Sequence, residues 1–579
     1  MPRGRGSERP LIVELVPDDE EEGAGAPLPA RAATSADGGS DPADPVTREP
    51  GRGARLGRWL ARQPRTRLVI AGVAALAVVA GAGVAGTVAD QRRVELLRAV
   101  PGGVVDLSAP PRTAWTFETG GPVWPVARLS SLLVVAEHQD DSSLSTSGAP
   151  GGPPVTLHAL DPATGEVRWS RETSGQPACG DGSVGWFGPT AALAPTDRLV
   201  CVVPGEDGWS ALVLDVDGEA VAERPLPGVD GLPGFGMEGE PPGATVVTPT
   251  SDGDLLRLTR VGDPPVVPEL VDVSDTGEWR TAGPVPARDL RVVLEDAVTG
   301  RERWSTTVRA EPAHDASSCV SWPADGGVPQ LLGDTSLQVY AAGGVVSVEG
   351  CGITAVLTTD GVRLDGGSPR AQPAVAAGGG YAVPPPAEVL PGGGRTVDTS
   401  LPWTLVDRGG VPVGELPGPP VVPVAVDDTD PGLLLADDGG ALVALRTDDL
   451  SQVWAAGPGT SDGVLALVDG TIVALARGDL VGLDAATGRP RWTTDVDQAT
   501  AEAIATGAAG FGTVFTDGRR VVVLTPAWSS PDGDAAWTAF DLAGGEAVWS
   551  EPLAGEQQWT AAIGGHLVRG SLDRVEGLG

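Results

Sequence analysis

Leu160-Asp161-Pro162-Ala163-Thr164-Gly165-Glu166-Val167-Arg168-Trp169 is the stretch whose reading decides the fold. In one-letter form it is LDPATGEVRW, and it comes back along the chain. LDAATGRPRW spans Leu483 to Trp492, and FDLAGGEAVW spans Phe540 to Trp549. EDAVTGRERW (Glu295 to Trp304) keeps the turn and the Trp with a changed start. LRTDDLSQVW (Leu445 to Trp454) is a weaker copy. In all five the Trp stands nine residues after the first position. Fixed spacing that recurs along a chain marks a repeat architecture, each copy being one supersecondary unit stacked on the next.

The residue types say what each copy does. Asp161, Asp484 and Asp541 open a turn, where a short carboxylate can accept backbone N–H groups two residues on. Gly165, Gly488 and Gly545 supply a backbone with positive φ. The Trp then falls on an outer strand, where its flat surface can cover the joint between neighbouring units. A row of Trp stacking on a ligand is the rival reading, but one Trp per repeat at constant spacing favours the structural role.

Around these copies the chain reads as strands and turns. Leu132–Ala136, Leu199–Val203, Thr471–Leu475 and Arg520–Leu524 are short apolar or alternating runs bounded by Gly, Asp and Pro, and no sustained helical period appears. Gly463 to Asp495 holds one full unit: Val464–Val468, a turn at Asp469-Gly470, Thr471–Leu475, a turn at Arg477-Gly478-Asp479, Leu480–Leu483, then a strand from Arg491. Four antiparallel strands on short turns make one propeller blade. The fold class is therefore all-β. Thr113–Phe117 reads as an outer strand with no blade before it. His566–Gly570 and Arg574–Leu578 read as inner strands with none after them. Joining the two ends would complete a blade and hide both edges. Outer-strand signals stand at Trp115, Trp169, Trp304, Trp454, Trp492 and Trp549, with degenerate ones near Glu223, Arg363 and Val413. With some of the degenerate sites discounted, the expectation is an eight-bladed propeller, or seven-bladed as the alternative.

The chain before the repeats is different. Residues 1–67 are rich in Pro, Gly, Ala and charge, with too few apolar residues for a core, and read as a disordered cytoplasmic tail. Leu11-Ile12-Val13-Glu14-Leu15-Val16, followed by five carboxylates from Asp18 to Glu22, is either a sticky patch beside a solvating run or a linear motif for a cytoplasmic partner. Leu68 to Ala89 is 22 residues without a charge. As a helix it would span about 33 Å, enough for a bilayer core of about 30 Å. Six Arg and no acid lie between Arg52 and Arg67, which places the N-terminus in the cytoplasm. Cleavage as a signal peptide after Thr87-Val88-Ala89 is the alternative, and the long leader argues against it. The expected organisation is a tail over 1–67, a transmembrane helix over 68–89, a juxtamembrane linker over 90–110 and an extracytoplasmic propeller over 111–579.

Composition narrows the function. The formal charge is −37, and the first 67 residues hold eleven Arg and eleven acids, so the excess lies beyond the apolar segment. A surface this acidic repels phosphate backbones, and nucleic-acid binding is not expected. The chain has no Lys and no Asn, a bias like that of a GC-rich genome such as an actinobacterium's, so an Arg by itself is no functional signal.

With Leu157-His158-Ala159-Leu160-Asp161 leading to Trp169, and Val481-Gly482-Leu483-Asp484 leading to Trp492, the motif resembles the pyrroloquinoline-quinone (PQQ) repeat and its L-x-x-L-D-x-x-T-G-x-x-x-W tryptophan-docking signature. Residues from about 305 to 440 match it poorly. The resemblance implies an eight-bladed propeller girdled by Trp. It covers two branches: quinoprotein dehydrogenases, which hold PQQ and calcium in the central funnel, and cofactor-free binding propellers such as the BamB-type lipoproteins, with receptor-like sensor domains. For the enzyme branch it implies a vicinal Cys-Cys disulfide, a catalytic Asp and calcium ligands drawn from Glu, Asn and Asp. This sequence has no adjacent Cys pair, no Asn and no Cys-x-x-Cys-His. Asp215-Val216-Asp217-Gly218 is similar to the start of a calcium loop but lacks the rest of the ligand series. His138, His158, His314 and His566 form no ligand or triad spacing. Neither PQQ nor calcium, and no other cofactor, metal or catalytic residue, is expected.

Cys179, Cys201, Cys319 and Cys351 all follow the apolar segment, and an even number in an exported domain suggests disulfides. Of three pairings, Cys179–Cys201 with Cys319–Cys351 closes the shortest loops. The expectation is a single-pass membrane protein of the cell envelope whose propeller binds a protein or ligand without chemistry. A PQQ-dependent dehydrogenase and a sensor relaying binding to the tail are the alternatives. Insertions at Asp140–Pro154, Gly228–Gly243 and Pro384–Arg395 are candidate recognition loops.

Overall fold

The computed structural model describes residues 91–579, except residue 101 and a set of internal stretches of which 139–152, 181–194, 233–244 and 365–378 are the longest. These residues belong to one compact unit running from Gly83 to Gly579. The tail, the Leu11–Glu22 island, the 68–89 apolar segment and His314 lie outside the described residues. Among the described residues no helix is long and apolar enough to cross a membrane.

The architecture is a β-propeller. Blade 1 is Val123–Leu129, Leu132–His138, Val155–Leu160 and Val167–Thr173, in order from the inner strand to the outer. Blade 2 is Ala178–Cys179, Leu199–Gly205, Gly208–Leu214 and Ala220–Pro225. Blade 3 is Thr245–Pro249, Asp254–Arg260, Leu290–Asp296 and Glu302–Val308. Blade 4 is Leu337–Ala342, Val345–Gly350 and Ile353–Thr358, with a bridge from Leu357 to Arg363 marking its outer edge. Blade 5 is Tyr381–Val383, Trp403–Val406 and Pro412–Leu416, and blade 6 is Leu433–Asp438, Ala441–Arg446 and Gln452–Pro458. Blade 7 is Gly463–Val468, Thr471–Ala476, Asp479–Asp484 and Pro490–Asp495. Blade 8 is Val514–Thr516, Arg520–Thr525, Ala536–Asp541 and Ala547–Pro552. Blade 9 takes Trp559–Ile563, His566–Gly570 and Arg574–Leu578 from one end of the chain and Thr113–Glu118 from the other.

The ring closes through blade 9, where Trp115 to Glu118 pair antiparallel with Gly577 to Arg574. The count corrects the expectation of eight or seven blades: among the described residues there are nine. Glu223 lies on the outer strand of blade 2, Arg363 on the outer edge of blade 4 and Val413 on the outer strand of blade 5. None of the three marks a Trp, because these blades close their joints with other side chains.

Apolar layers lie between successive blades. Leu465, Val473, Leu475 and Leu480 of blade 7 meet Val521, Val523 and Phe540 of blade 8 in one buried cluster. Each such Val or Leu contributes roughly 1.5–3 kcal/mol by leaving water. Alternation along each strand makes this possible, since one face meets the blade before it and the other the blade after it. The short helix Gln498–Ala505 joins blades 7 and 8, and Ile504 seals against Gly463. Two disulfides add covalent staples. Cys179–Cys201 ties directly opposed residues on the first two strands of blade 2. Cys319–Cys351 ties the connection before blade 4 to a turn within that blade.

Candidate functional site

The recurring motif sits at the joints. Asp161 Oδ1 accepts the Ala163 and Thr164 amides at 2.9 and 3.3 Å, and Asp541 Oδ1 accepts those of Ala543 and Gly544. Gly165, Gly488 and Gly545 have φ of 72°, 66° and 78°. A Cβ on any of them would run into the Trp of the preceding blade: Trp115, Trp454 and Trp492 in turn. Each Trp also donates its indole N–H to a carbonyl in the turn it covers. Trp115 reaches Pro162 O at 3.1 Å, Trp169 reaches Val216 O at 3.0 Å and Trp304 reaches Thr359 O at 2.8 Å. Trp454 reaches Ala485 O at 2.7 Å and Trp492 reaches Leu542 O at 2.8 Å. The Trp is thus both wedge and donor, and the glycine leaves room for it.

Three joints use other chemistry. In blade 2 Ala222 takes the Trp register, opposite Val213, and Arg224 two residues on does the work. Its guanidinium lies over Gly300, its Nε donates to Ala297 O at 3.0 Å, and it pairs with the buried Glu295 at 3.5 Å. Arg257 holds the other oxygen of Glu295 at 3.1 Å. In blade 4 Val362 and Leu364 cover Gly410. Between blades 5 and 6 the pair is inverted. Gly414 stands where the Trp would be, and Leu450, at φ 57°, occupies the turn position where the glycine would be and fills the space.

The central channel carries the chain's own backbone. Pro195–Thr196 pairs parallel with Arg128–Leu129 on the inner edge of blade 1, and Gly231 bridges Val246 on blade 3. Ala425–Val426 pairs with Ala466–Leu467 on blade 7, and Gly103 bridges Thr516 on blade 8. Pro420 also bridges Ala436 on blade 6, so among the described residues the inner edges that would line an open funnel are occupied in five blades.

The remaining candidates resolve locally. Asp215 Oδ1 accepts the Asp217 and Glu219 amides at 3.0 and 2.9 Å, so the loop similar to a calcium site is the turn under Trp169. Among the described residues no group of three His, Cys, Asp or Glu could hold a metal. His158 bridges Glu137 and Ser170, each at 2.8 Å, and meets Phe117 edge-on. His566 is held below its ordinary value by burial and by Arg98. A cavity of about 250 Å³ opens between turns of blades 3, 4 and 5, lined by Asp252, Asp360, Tyr381 and Arg408. Tyr381 donates to Gly344 O at 3.3 Å and Arg408 Nε to Gly379 O at 3.1 Å, and burial raises the Tyr381 phenol. This cavity lies at a turn face beside the Trp304 joint, since its lining residue Thr359 is the one that accepts the Trp304 indole N–H.

Residues 438–570 match the family described as outer membrane protein assembly factor BamB, a PQQ-repeat family. Residues 438–570 thus carry PQQ-like repeats, within a chain whose described residues form a β-propeller. No curated protein matches the chain. Among solved structures it is similar to BamB from Moraxella catarrhalis, at 10% identity and a TM-score of 0.34, covering 81% of this chain and 99% of that one. The quinohemoprotein alcohol dehydrogenase from Comamonas testosteroni is similar at 13% identity and 0.31, covering 81% and 76%. The computationally designed Ika8 protein is similar at 11% and 0.29, covering 80% and 98%.

Proposed function

We propose that the propeller is a non-catalytic binding module of the cell envelope. It is held by the 68–89 segment with the N-terminus in the cytoplasm, and it recognises a protein partner. One observation carries the reading: the inner edges at Arg128–Leu129, Val246, Ala466–Leu467 and Thr516 are paired with the chain's own backbone. A flat quinone needs that space, and the residues present do not fit PQQ, since both disulfides join cysteines distant in sequence. The family matched by residues 438–570 is described as an assembly factor, which supports a protein partner over a small substrate. The motif residues are spent on blade joints, so recognition falls to the loops on a rigid ring.

The test is crosslinking of the full chain in its native envelope, with purified chain then assayed with PQQ, Ca²⁺ and alcohols or sugars for dye reduction. The expected result is one stoichiometric protein partner and no dye reduction. Sustained PQQ-dependent turnover would overturn the reading in favour of a dehydrogenase.

A further inference from the structure

The segment ahead of the first strand does not hang free. Residues 91–99 form a helix, and its Leu97 is fully buried against the ring. Arg93 Nη1 donates to Asp517 O at 2.9 Å, and Arg128, from the inner strand of blade 1, donates to Arg98 O at 2.9 Å. Beyond the helix Gly103 bridges Thr516 of blade 8 and Val104 bridges Gly565 of blade 9. The packing there is tight: a Cβ on Gly103 would strike the Leu97 carbonyl, and one on Gly102 would strike Val514 O. Leu107 N donates to the buried carboxylate of Asp517 at 3.2 Å. Asp517 is in turn fixed by the amides of Arg519 and Arg520 and by the Arg520 guanidinium. The segment thus crosses the seam between blades 8 and 9 and reaches blade 1.

It also supplies the part of the repeat that blade 9 cannot make for itself. In blades 1, 7 and 8 the Asp turn links the third strand to the outer one within a single run of chain. In blade 9 those two strands come from opposite ends, and where the turn would be, Arg112 and Gly579 exchange two backbone bonds at 2.9 Å at the end of their ladder. Asp106-Leu107-Ser108 takes the turn's place. Asp106 Oδ1 accepts Ser108 N at 2.9 Å, as Asp161 accepts Ala163, and that bond holds the Asp106 carboxyl below its usual range. Leu107 O then accepts the indole N–H of Trp549 at 3.0 Å, as Pro162 O accepts that of Trp115.

We propose that residues 91–107 are a strap that makes closure of the ring conditional on the chain's N-terminal side. Displacing the strap, by a pull or a cut on that side or by a partner that takes Leu97 from its seat, frees Trp549 and opens the seam between blades 8 and 9. The joints between blades 3 and 4 and between blades 4 and 5 do not depend on it. This inference goes beyond the binding role and stands without it.

The test is hydrogen–deuterium exchange on the full chain with Leu97→Asp, and with the milder Leu97→Ala in case the first does not fold. Exchange is expected to rise at least tenfold over 113–118, 547–552 and 559–578, and to stay at the unmodified chain's rate over 290–308 and 345–358. Unchanged exchange at the seam would overturn the strap. An equal rise in every blade would overturn it too, because it would make Leu97 an ordinary core residue.

Discussion

Blades 6 to 8 and blades 2 to 5 form the same ring with different locks. In the first arc each outer strand offers a Trp, and Trp454 and Trp492 each meet a glycine in the next blade's turn. In the second, the locks after blades 2, 4 and 5 use an Arg with a buried ion pair, a Val–Leu pair, and a Gly facing a Leu. What a joint requires is complementary shape and a satisfied polar group, and Trp over Gly is one solution among several. The exception inside the second arc makes the same point, for Trp304 over Gly361 sits between an Arg lock and an aliphatic one.

The largest effect that separates the arcs should come from removing one lock from each. Trp492 is buried, fills the space over Gly545 and donates to Leu542 O. Trp492→Ala is expected to destabilise the propeller by about 3–5 kcal/mol, the range for a buried aromatic cut to Ala. Arg224→Ala leaves Glu295 buried with Arg257 still in place, so the expected loss is about 1–3 kcal/mol. Urea unfolding followed by circular dichroism reads both. Equal losses would mean that the lock's chemistry does not matter and only the seam's apolar layers do.

The same contrast explains how much of the molecule was legible beforehand. Blade 7 was readable strand by strand because Val464–Val468, Thr471–Leu475 and Leu480–Leu483 alternate cleanly between Asp-Gly and Arg-Gly turns. The two disulfides join the pairs with the shortest loops. The blade count fell short because Trp was the marker, and the side chains of Arg224, Leu364 and Leu450 carry no common signature. Gly414 and Leu450 invert the pattern, so neither residue looks like part of a lock until both are seen together. The strands that line the channel are one or two residues long, too short for a period-two pattern to exist. Asp106-Leu107-Ser108 escaped notice because no third strand precedes it in sequence.

The inverted lock allows a sharper test of complementarity. Gly414→Trp should clash with Leu450, and Leu450→Gly should empty the space over Gly414 while relieving the positive φ of a branched residue. Made together they recreate the arrangement of Trp454 and Gly488. The double-mutant cycle is expected to show a favourable coupling of about 1–3 kcal/mol in the same unfolding assay. Strict additivity would mean that the two residues are not one lock.

The smallest effect is one of pH, and its sign should differ between the arcs. Asp254 in blade 3 is buried, with one oxygen on Arg303 at 2.9 Å and the other without a partner. Burial pushes its carboxyl up to about 6, against the pull of Arg303. The folded chain therefore keeps this proton in a range where the unfolded chain, near 3.8, has lost it. Stability from this group falls as pH rises from about 4 to about 6 and is flat above that. In blade 7 the half-buried Asp484 is held below its usual range by its bonds to Arg491 and Thr487, so its contribution is present at neutral pH and is lost on acidification. Asp254→Asn should raise the melting temperature by a few degrees at neutral pH and leave it unchanged near pH 4. Asp484→Asn should lower it slightly at neutral pH and lose that effect in acid. If both variants shift in the same direction at neutral pH, the buried carboxylate of blade 3 is better matched by Arg303 than its unpartnered oxygen implies, and the two arcs treat their turn acids alike.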